Sequence, residues 1–480
     1  MHPALGPLDR FLKTALSALD APPGDGRAEA EALYRDVRES VPAYRAFVPG
    51  APAFDALPLV TKDDYIKKFP LAERCREGRI APSDFLALSS GSTGEPTVWL
   101  RSVAHEMPVA VRFEQVLADT CGARDKSTLG VVCFPLGTWV GGMYTTLACR
   151  WVALKGYPLT LATPGNNVGE ILKVVRELGA SFDQVVLFGY PPFLKDVVDS
   201  GHSQGLDWPK HHVKLVLAGE VVSESWRTLM AERLGQRDIL RGSSSLYGTA
   251  DAGVLGCESP VSIAIRRFLA ERADLARSIF GKTRLPTLVQ YDPRVRYFEV
   301  HEGTLVVTAD GGTPLVRYHI ADDGGVYGFE ELLERCRVAG FDARAAVGDA
   351  PVRPLPFVYV FGRSRFALSI YGANVFPETM ALALEQPAVA AQVTGKFVMH
   401  VLTDAEQNKQ LAVAVELATG VEAHAELEAR VTLAITRELE QRNSEYWSYV
   451  PAARRVPKVG LYPRQHPEWF PTGVKHRYSR

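Results

Sequence analysis

Between residues 129 and 219 the chain alternates short apolar runs with stretches of helical periodicity, and this alternation constrains the fold more than any other feature. The runs are LGVVCFP (129–135), PLTLAT (158–163), QVVLFG (184–189) and VKLVLAG (213–219), with helices expected near Val168–Gly179 and Phe193–Ser200. Runs that are apolar at successive positions suit strands covered on both faces, so the segment predicts βαβ units around a parallel sheet. In such a sheet, ligand loops gather at the carboxyl ends of the strands.

The flanking regions read differently. Residues 27–44, RAEAEALYRDVRESVPAY, carry apolar residues at helical spacing among alternating charges, which predicts a surface helix outside the main core. In TKDDYIKKFP, Thr61 precedes two acidic residues as an N-cap would, and Pro70 ends the short helix expected there. From about 283 to 328 the segments RYFEV, GTLVVTAD and PLVRYHIADDGGVY are separated by Gly and Asp turn signals, as in a small antiparallel sheet or distorted barrel. The fold class expected is therefore α/β, with a large N-terminal domain over 1–361 that includes a small β-rich subdomain. A hinge is placed at 362–366, and a small mobile α+β domain at 367–480 holds KFVMHVLT, QLAVAVEL and the helix HAELEARVTLAITRELEQR.

Composition narrows the function. Lys plus Arg number 54 against 55 Asp plus Glu, a net charge of -1 that offers no general attraction to nucleic acid or to an anionic membrane. No apolar run reaches the ~18 residues that would span a bilayer, and the N-terminal residues lack a secretory h-region, so a cytoplasmic location is expected. The 6 cysteines contain no Cys-x-x-Cys spacing and read as free thiols.

Four strings carry the chemistry. The first runs from Leu88 to Thr97, where Ser89, Ser90, Gly91, Ser92, Thr93 and Gly94 pack hydroxyls and flexible amides into one loop that suits phosphate oxygens. No lysine follows Gly94, so it is not a Walker A loop, and taken alone it reads equally as a polar surface loop. The second, Gly242 to Asp251, places Tyr247, Gly248, Thr249 and Asp251 together, an aromatic for a base and a carboxylate for a hard cation, or else a turn with a core tyrosine. The third, Val316 to Gly325, sets Asp322 and Asp323 after an apolar strand, where one carboxylate suits a ribose and an ordinary Asp/Gly turn is the plainer reading. The fourth, Phe361 to Pro377, joins a Gly362-Arg363 pair to Gly372, Asn374, Val375, Phe376 and Pro377.

In this order the four strings resemble the signature of the adenylate-forming superfamily of acyl-CoA synthetases, peptide-synthetase adenylation domains and luciferases. The serine-rich loop, the Gly-x-Asn-Val-Phe-Pro run and the LPLVTKDD string at 57–64 are most similar to phenylacetate-CoA ligase-like proteins. The resemblance extends from about 57 to the C-terminus. It implies that the 89–94 loop holds the triphosphate of ATP, and that Gly219, Glu220, Leu246 and Tyr247 line the adenine and acyl pockets, with Gly248 and Thr249 beside them. It further implies that Asp251 holds magnesium, that Asp322 binds the ribose and that Arg363 lies beside it. Phe134 to Met143 resembles the loop bordering the acyl pocket, with Gly142 and with Trp139 as either a wall or a core aromatic. Lys475 falls where the family has its mobile catalytic lysine, with Lys458 as the competing candidate.

The resemblance implies attack of a carboxylate, by preference an aryl acid, on the α-phosphate of ATP, then acyl transfer to coenzyme A. Asp251 is one methylene shorter than the family's glutamate, and Ala250 replaces a hydroxyl residue. Arg365 and Phe366 stand where the hinge is usually acidic, and Val474 separates Gly473 from Lys475. These hinge and C-terminal departures favour an alternative acceptor, an amine or a carrier or protein thiol. The changes at 250 and 251 keep a non-catalytic nucleotide sensor as a further alternative.

Overall fold

The computed structural model describes residues 19, 24–81, 83, 85–89, 97–283, 285–363, 368–471 and 478–479. They form two compact units. The first runs to residue 89 and continues through 98–189 and 197–362, while the second includes 190–196 and 363–480.

The first unit is organised by an 11-stranded sheet. In chain order, the hairpin β1 (Phe85–Ser89) and β2 (Thr97–Arg101) stands apart from it, and β3 (Thr128–Val132), β4 (Leu159–Ala162), β5 (Gln184–Gly189), β6 (Lys214–Ala218) and β7 (Ser243–Thr249) open it. The remaining strands are β8 (Gly253–Cys257), β9 (Thr287–Gln290), β10 (Arg296–His301), β11 (Thr304–Ala309), β12 (Leu315–Tyr327) and β13 (Phe357–Arg363). Their order across the sheet is β10-β11-β12-β13-β9-β8-β7-β6-β5-β3-β4.

Parallel pairing joins β4, β3, β5 and β6, as the alternation predicts, and adds β7, which lies beyond the alternating segment in a string read as a turn. Every residue of β3 and β5 is buried, which is why these strands read as unbroken apolar runs. The crossovers are helical: Asn167 caps Val168–Leu178 by accepting from the Glu170 amide, and Ser223 caps Glu224–Arg233 through the Trp226 amide. From β7 onward the pairing turns antiparallel. The β-rich segment is antiparallel as expected, yet it extends this same sheet rather than standing apart as a barrel.

The N-terminal helix corrects the sequence reading. It spans Arg27–Ser40, with a second short helix at Pro42–Phe47, and Tyr34, Val37, Val41 and Tyr44 pack into a core with Phe298, Leu305, Val307 and Tyr318. The charges alternate on the outer face, while the buried side is a narrow stripe that covers β10–β12. Thr61 does cap a turn, with Oγ1 accepting from the Asp64 amide at 2.9 Å, but only the single turn Lys62–Ile66 follows.

In the second unit, β14 (Leu368–Ile370) and β15 (Ala373–Val375) form a hairpin, and β16 (Val393–Thr403), β17 (Lys409–Leu417) and β18 (Lys458–Tyr462) a separate sheet. The helix Ala425–Arg442 presents Leu427, Val431, Ile435 and Leu439 as its buried stripe. Residues 190–196 are held within this unit: Arg454 Nη1 pairs with Asp196 Oδ1 at 2.7 Å, and the Tyr190 and Tyr449 rings stack at 5.1 Å.

Candidate active site

The carboxyl ends of β6 and β7 bring the second string together with Gly219 and Glu220. Gly219 follows β6 with φ 87°, a conformation that disfavours any side chain, and is exposed at the strand end. On β7, Leu246 and Tyr247 are buried while Gly248 is exposed and Thr249 half-buried, so the strand passes from core to surface within these residues. A Cβ on Gly248 would stand 2.9 Å from the Gly253 carbonyl oxygen, so glycine is what lets β7 and β8 meet there. Thr249 Oγ1 accepts from the Ala252 amide at 3.0 Å and shapes the turn that carries Asp251.

The structure separates the two carboxylates of the third string. Successive residues of a strand point to opposite faces. Asp322 turns inward, 5 % exposed, and accepts a 2.7 Å hydrogen bond at Oδ2 from the Tyr247 hydroxyl. Asp323 instead pairs with Lys282. Ala321, just before Asp322, has φ 62°, and β12 shifts register against β11 in this region, so the local backbone departs from a regular strand where the inward carboxylate is placed. Tyr247 is thus both a core tyrosine and the donor that orients Asp322.

Asp251 is equally enclosed. Its Oδ2 accepts from the Tyr318 hydroxyl at 2.5 Å and lies 3.3 Å from Lys62 Nζ. Tyr318 is buried on β12, its ring edge-on to Trp99 of β2 with centroids 6.5 Å apart. Neither Lys62 nor Tyr318 stands out as a site residue in the sequence, although each lies inside a string already notable there, TKDD and VRYHIADDGG. The signal that could have found them is a cation and an aromatic within those strings.

No cluster of three or more His, Cys, Asp or Glu side chains suited to a metal occurs among the described residues. A lone buried carboxylate nevertheless fits magnesium, which is commonly held by one or two carboxylates together with substrate phosphates and water. Asp251 is the residue that would contribute it.

Trp139 is half-buried rather than a core residue, and it sits at the N-cap of the helix Val140–Leu154. Its loop is tied to β1, where the Leu88 amide donates to the Thr138 carbonyl at 2.9 Å. Gly142 has a packing role, since a Cβ there would lie 2.4 Å from the Pro135 carbonyl oxygen. Ser89 ends β1 and Arg363 ends β13. Ser90, Gly91, Ser92, Thr93, Gly94 and Lys475 lie outside the described residues, as do the side chains of Ser89 and Arg363.

A buried ionic cluster underlies this edge. Glu258 accepts from Arg227 at 3.0 and 2.8 Å, from Arg266 at 2.7 Å and from the Ser245 amide at 2.9 Å. Arg227 also donates to Ser243, and Arg266 to the Val222 carbonyl. The loop after β6 and the strand β7 are therefore fixed to one carboxylate. Desolvation alone would raise the Glu258 pKa, but the two guanidiniums outweigh it and hold it down to about 2.

No protein-family model matches the sequence, and no curated protein matches it. Solved structures do. A 2-hydroxyisobutyryl-CoA ligase in complex with 2-HIB-AMP and CoA, in its thioesterification state, aligns with TM-score 0.65 at 15% identity, over 94% of this chain and 88% of that one. The same ligase in its postadenylation state aligns with TM-score 0.50 at 14% identity, again over 94% and 88%. This chain therefore shares the fold of that CoA ligase.

Proposed function

We propose that this protein is an AMP-forming carboxylic acid ligase. A carboxylate oxygen attacks the α-phosphorus of ATP, the bond to the β-phosphate oxygen breaks, and acyl-adenylate and pyrophosphate form. The acyl carbon then passes to the thiol of coenzyme A and AMP leaves. An aryl acid of the kind used by phenylacetate-CoA ligase-like enzymes is the preferred substrate.

The observation that carries this reading is the Tyr247–Asp322 hydrogen bond, which joins two strings far apart in the chain, one near the carboxyl end of the parallel strand β7 and the other on the antiparallel strand β12. In this reading Asp322 takes the ribose hydroxyls with Arg363 beside it. Gly219, Glu220, Leu246 and Tyr247 border the adenine and the acyl group, and Trp139 forms a wall. The 89–94 loop holds the triphosphate. Magnesium, with Asp251 as its protein ligand, would supply charge compensation on the departing pyrophosphate. Lys475 bridges the attacking carboxylate and the α-phosphate, then withdraws as the C-terminal unit turns about 362–366.

Pyrophosphate release screened over aryl and short-chain acids tests the reading. Acid-dependent release with AMP as the product is expected, and stoichiometric ADP would overturn it. Offering CoA or a set of amino acids to the productive acid, with products read by mass, decides the acceptor. Lys475→Ala is expected to lose adenylation by ~10²–10³-fold while still transferring the acyl group from a synthetic acyl-adenylate. A parallel loss of both steps would remove Lys475 from the α-phosphate and turn attention to Lys458, which is exposed at the start of β18.

A further inference from the structure

The segment 57–64 is held with more care than a surface connection needs. Arg317, at φ 50°, donates to the carbonyls of Asp55 at 3.1 Å and Leu57 at 2.6 Å. Val60 then pairs with β12 in parallel: its amide donates to the Arg317 carbonyl at 3.0 Å, and its carbonyl accepts from His319 at 2.9 Å. The Thr61 cap starts the next turn. Lys67 and Lys68 pair with Asp63 and Asp64, so the carboxylates that adjoin Lys62 are already occupied. The result is a strap that delivers one ammonium, Lys62 Nζ, to Asp251.

The pair is asymmetric. The Asp251 side chain is 3% exposed and that of Lys62 is 32% exposed, so the anion is hidden and the cation faces outward. A half-open ion pair of this kind contributes little to stability. An ammonium has three N–H donors, and Asp251 and its hydrogen-bonded Tyr318 do not use them all. A polyphosphate approaching Asp251 alone would meet like charge, and the ammonium offsets it.

We propose that Lys62 is a phosphate-binding residue, a resident cation of the nucleotide site that pairs with Asp251 and presents its remaining donors to a phosphate oxygen of ATP or pyrophosphate. The proposal rests on the function proposed above. It implies that part of the affinity for polyphosphate persists without magnesium, and that removing Lys62 makes ATP binding more dependent on the metal.

Calorimetric titration of the full chain with inorganic pyrophosphate and with ATP, in EDTA and in magnesium, tests this. Lys62→Ala is expected to weaken pyrophosphate binding in EDTA about tenfold or more, the scale of a hydrogen bond to a charged group. Lys62→Arg should restore most of it, and both variants should keep the parent's thermal midpoint. Lys62→Gln replaces the alanine variant if that one fails to fold. Equal binding by parent and Lys62→Ala would overturn the proposal, as would a loss that tracks a lowered thermal midpoint. A parent that binds pyrophosphate through Lys62 but releases none with any acid would leave the proposal standing and remove the ligase reading.

Discussion

At the scale of single residues, the site is a set of carboxylates distinguished by what surrounds them. Asp322 and Asp323 are neighbours in sequence, yet one receives the Tyr247 hydroxyl in the core and the other meets Lys282. Under the proposed function, in which Asp322 takes the ribose, Asp322→Asn is expected to weaken ATP binding about tenfold or more through loss of a charge-assisted acceptor. Asp323→Asn should leave binding within about twofold, because its half-buried carboxylate is engaged by Lys282 on the other side of the strand, and the two are compared by equilibrium titration with ATP. Tyr247→Phe should cost about 1–3 kcal/mol of stability in denaturant unfolding, since it leaves a buried carboxylate short of a donor. The sequence marks these residues through the resemblance of their strings, taken in order, to a known signature, since an Asp/Gly turn and a core tyrosine are ordinary when taken singly. It leaves Lys62 and Tyr318 unmarked because a lysine beside aspartates and a tyrosine in a strand are ordinary until the chain brings them onto Asp251.

At the scale of elements, the cluster of Glu224, Arg227, Glu258 and Arg266 links β7, β8 and the helices Glu224–Arg233 and Pro260–Leu269. Glu258→Gln leaves two buried guanidiniums poorly compensated and is expected to cost about 3–5 kcal/mol, read as a shift in denaturant midpoint. The pH dependence follows from the lowered Glu258 pKa. A depressed carboxylate stabilises the fold above its unfolded value, 4.5, and that contribution drains away as the pH falls toward about 2. The parent should therefore lose stability steeply over this window, and the glutamine variant much less so. The buried strands β3, β5 and β6 are legible because their central positions are all apolar, whereas β7, buried at its first five positions, is hidden by the three serines that open it. The N-terminal helix was misplaced for the converse reason: its abundant charges describe the outer face and mask the stripe of Tyr34 and Val37 that enters the core.

At the scale of the whole molecule, the absence of Cys-x-x-Cys spacing read correctly as free thiols, and all 6 cysteines are buried. Burial pushes the Cys121 and Cys336 thiols up to about 11 and Cys257 to about 12. A water-soluble disulfide reagent at pH ~8, below those values and near the unperturbed thiol, should label no thiol in the native protein and all of them after denaturation. The continuity of the 11-stranded sheet was less legible, because sequence shows where strands occur but not which edges they share. Its order has a consequence for how the chain is made. β13 is the last strand of this sheet to be synthesised, yet it lies between β12 and β9, in the interior of the sheet. Until residues 357–363 leave the ribosome, the antiparallel portion β10–β12 has no partner strand linking it to the rest, and β12 and β9 each carry an open edge. A chain that stalls or is cut before Phe357 is a nascent molecule with two adhesive borders, so premature termination there should yield insoluble fragments, and arrival of β13 acts as the clasp that closes both borders while the rest of the polypeptide is still being made.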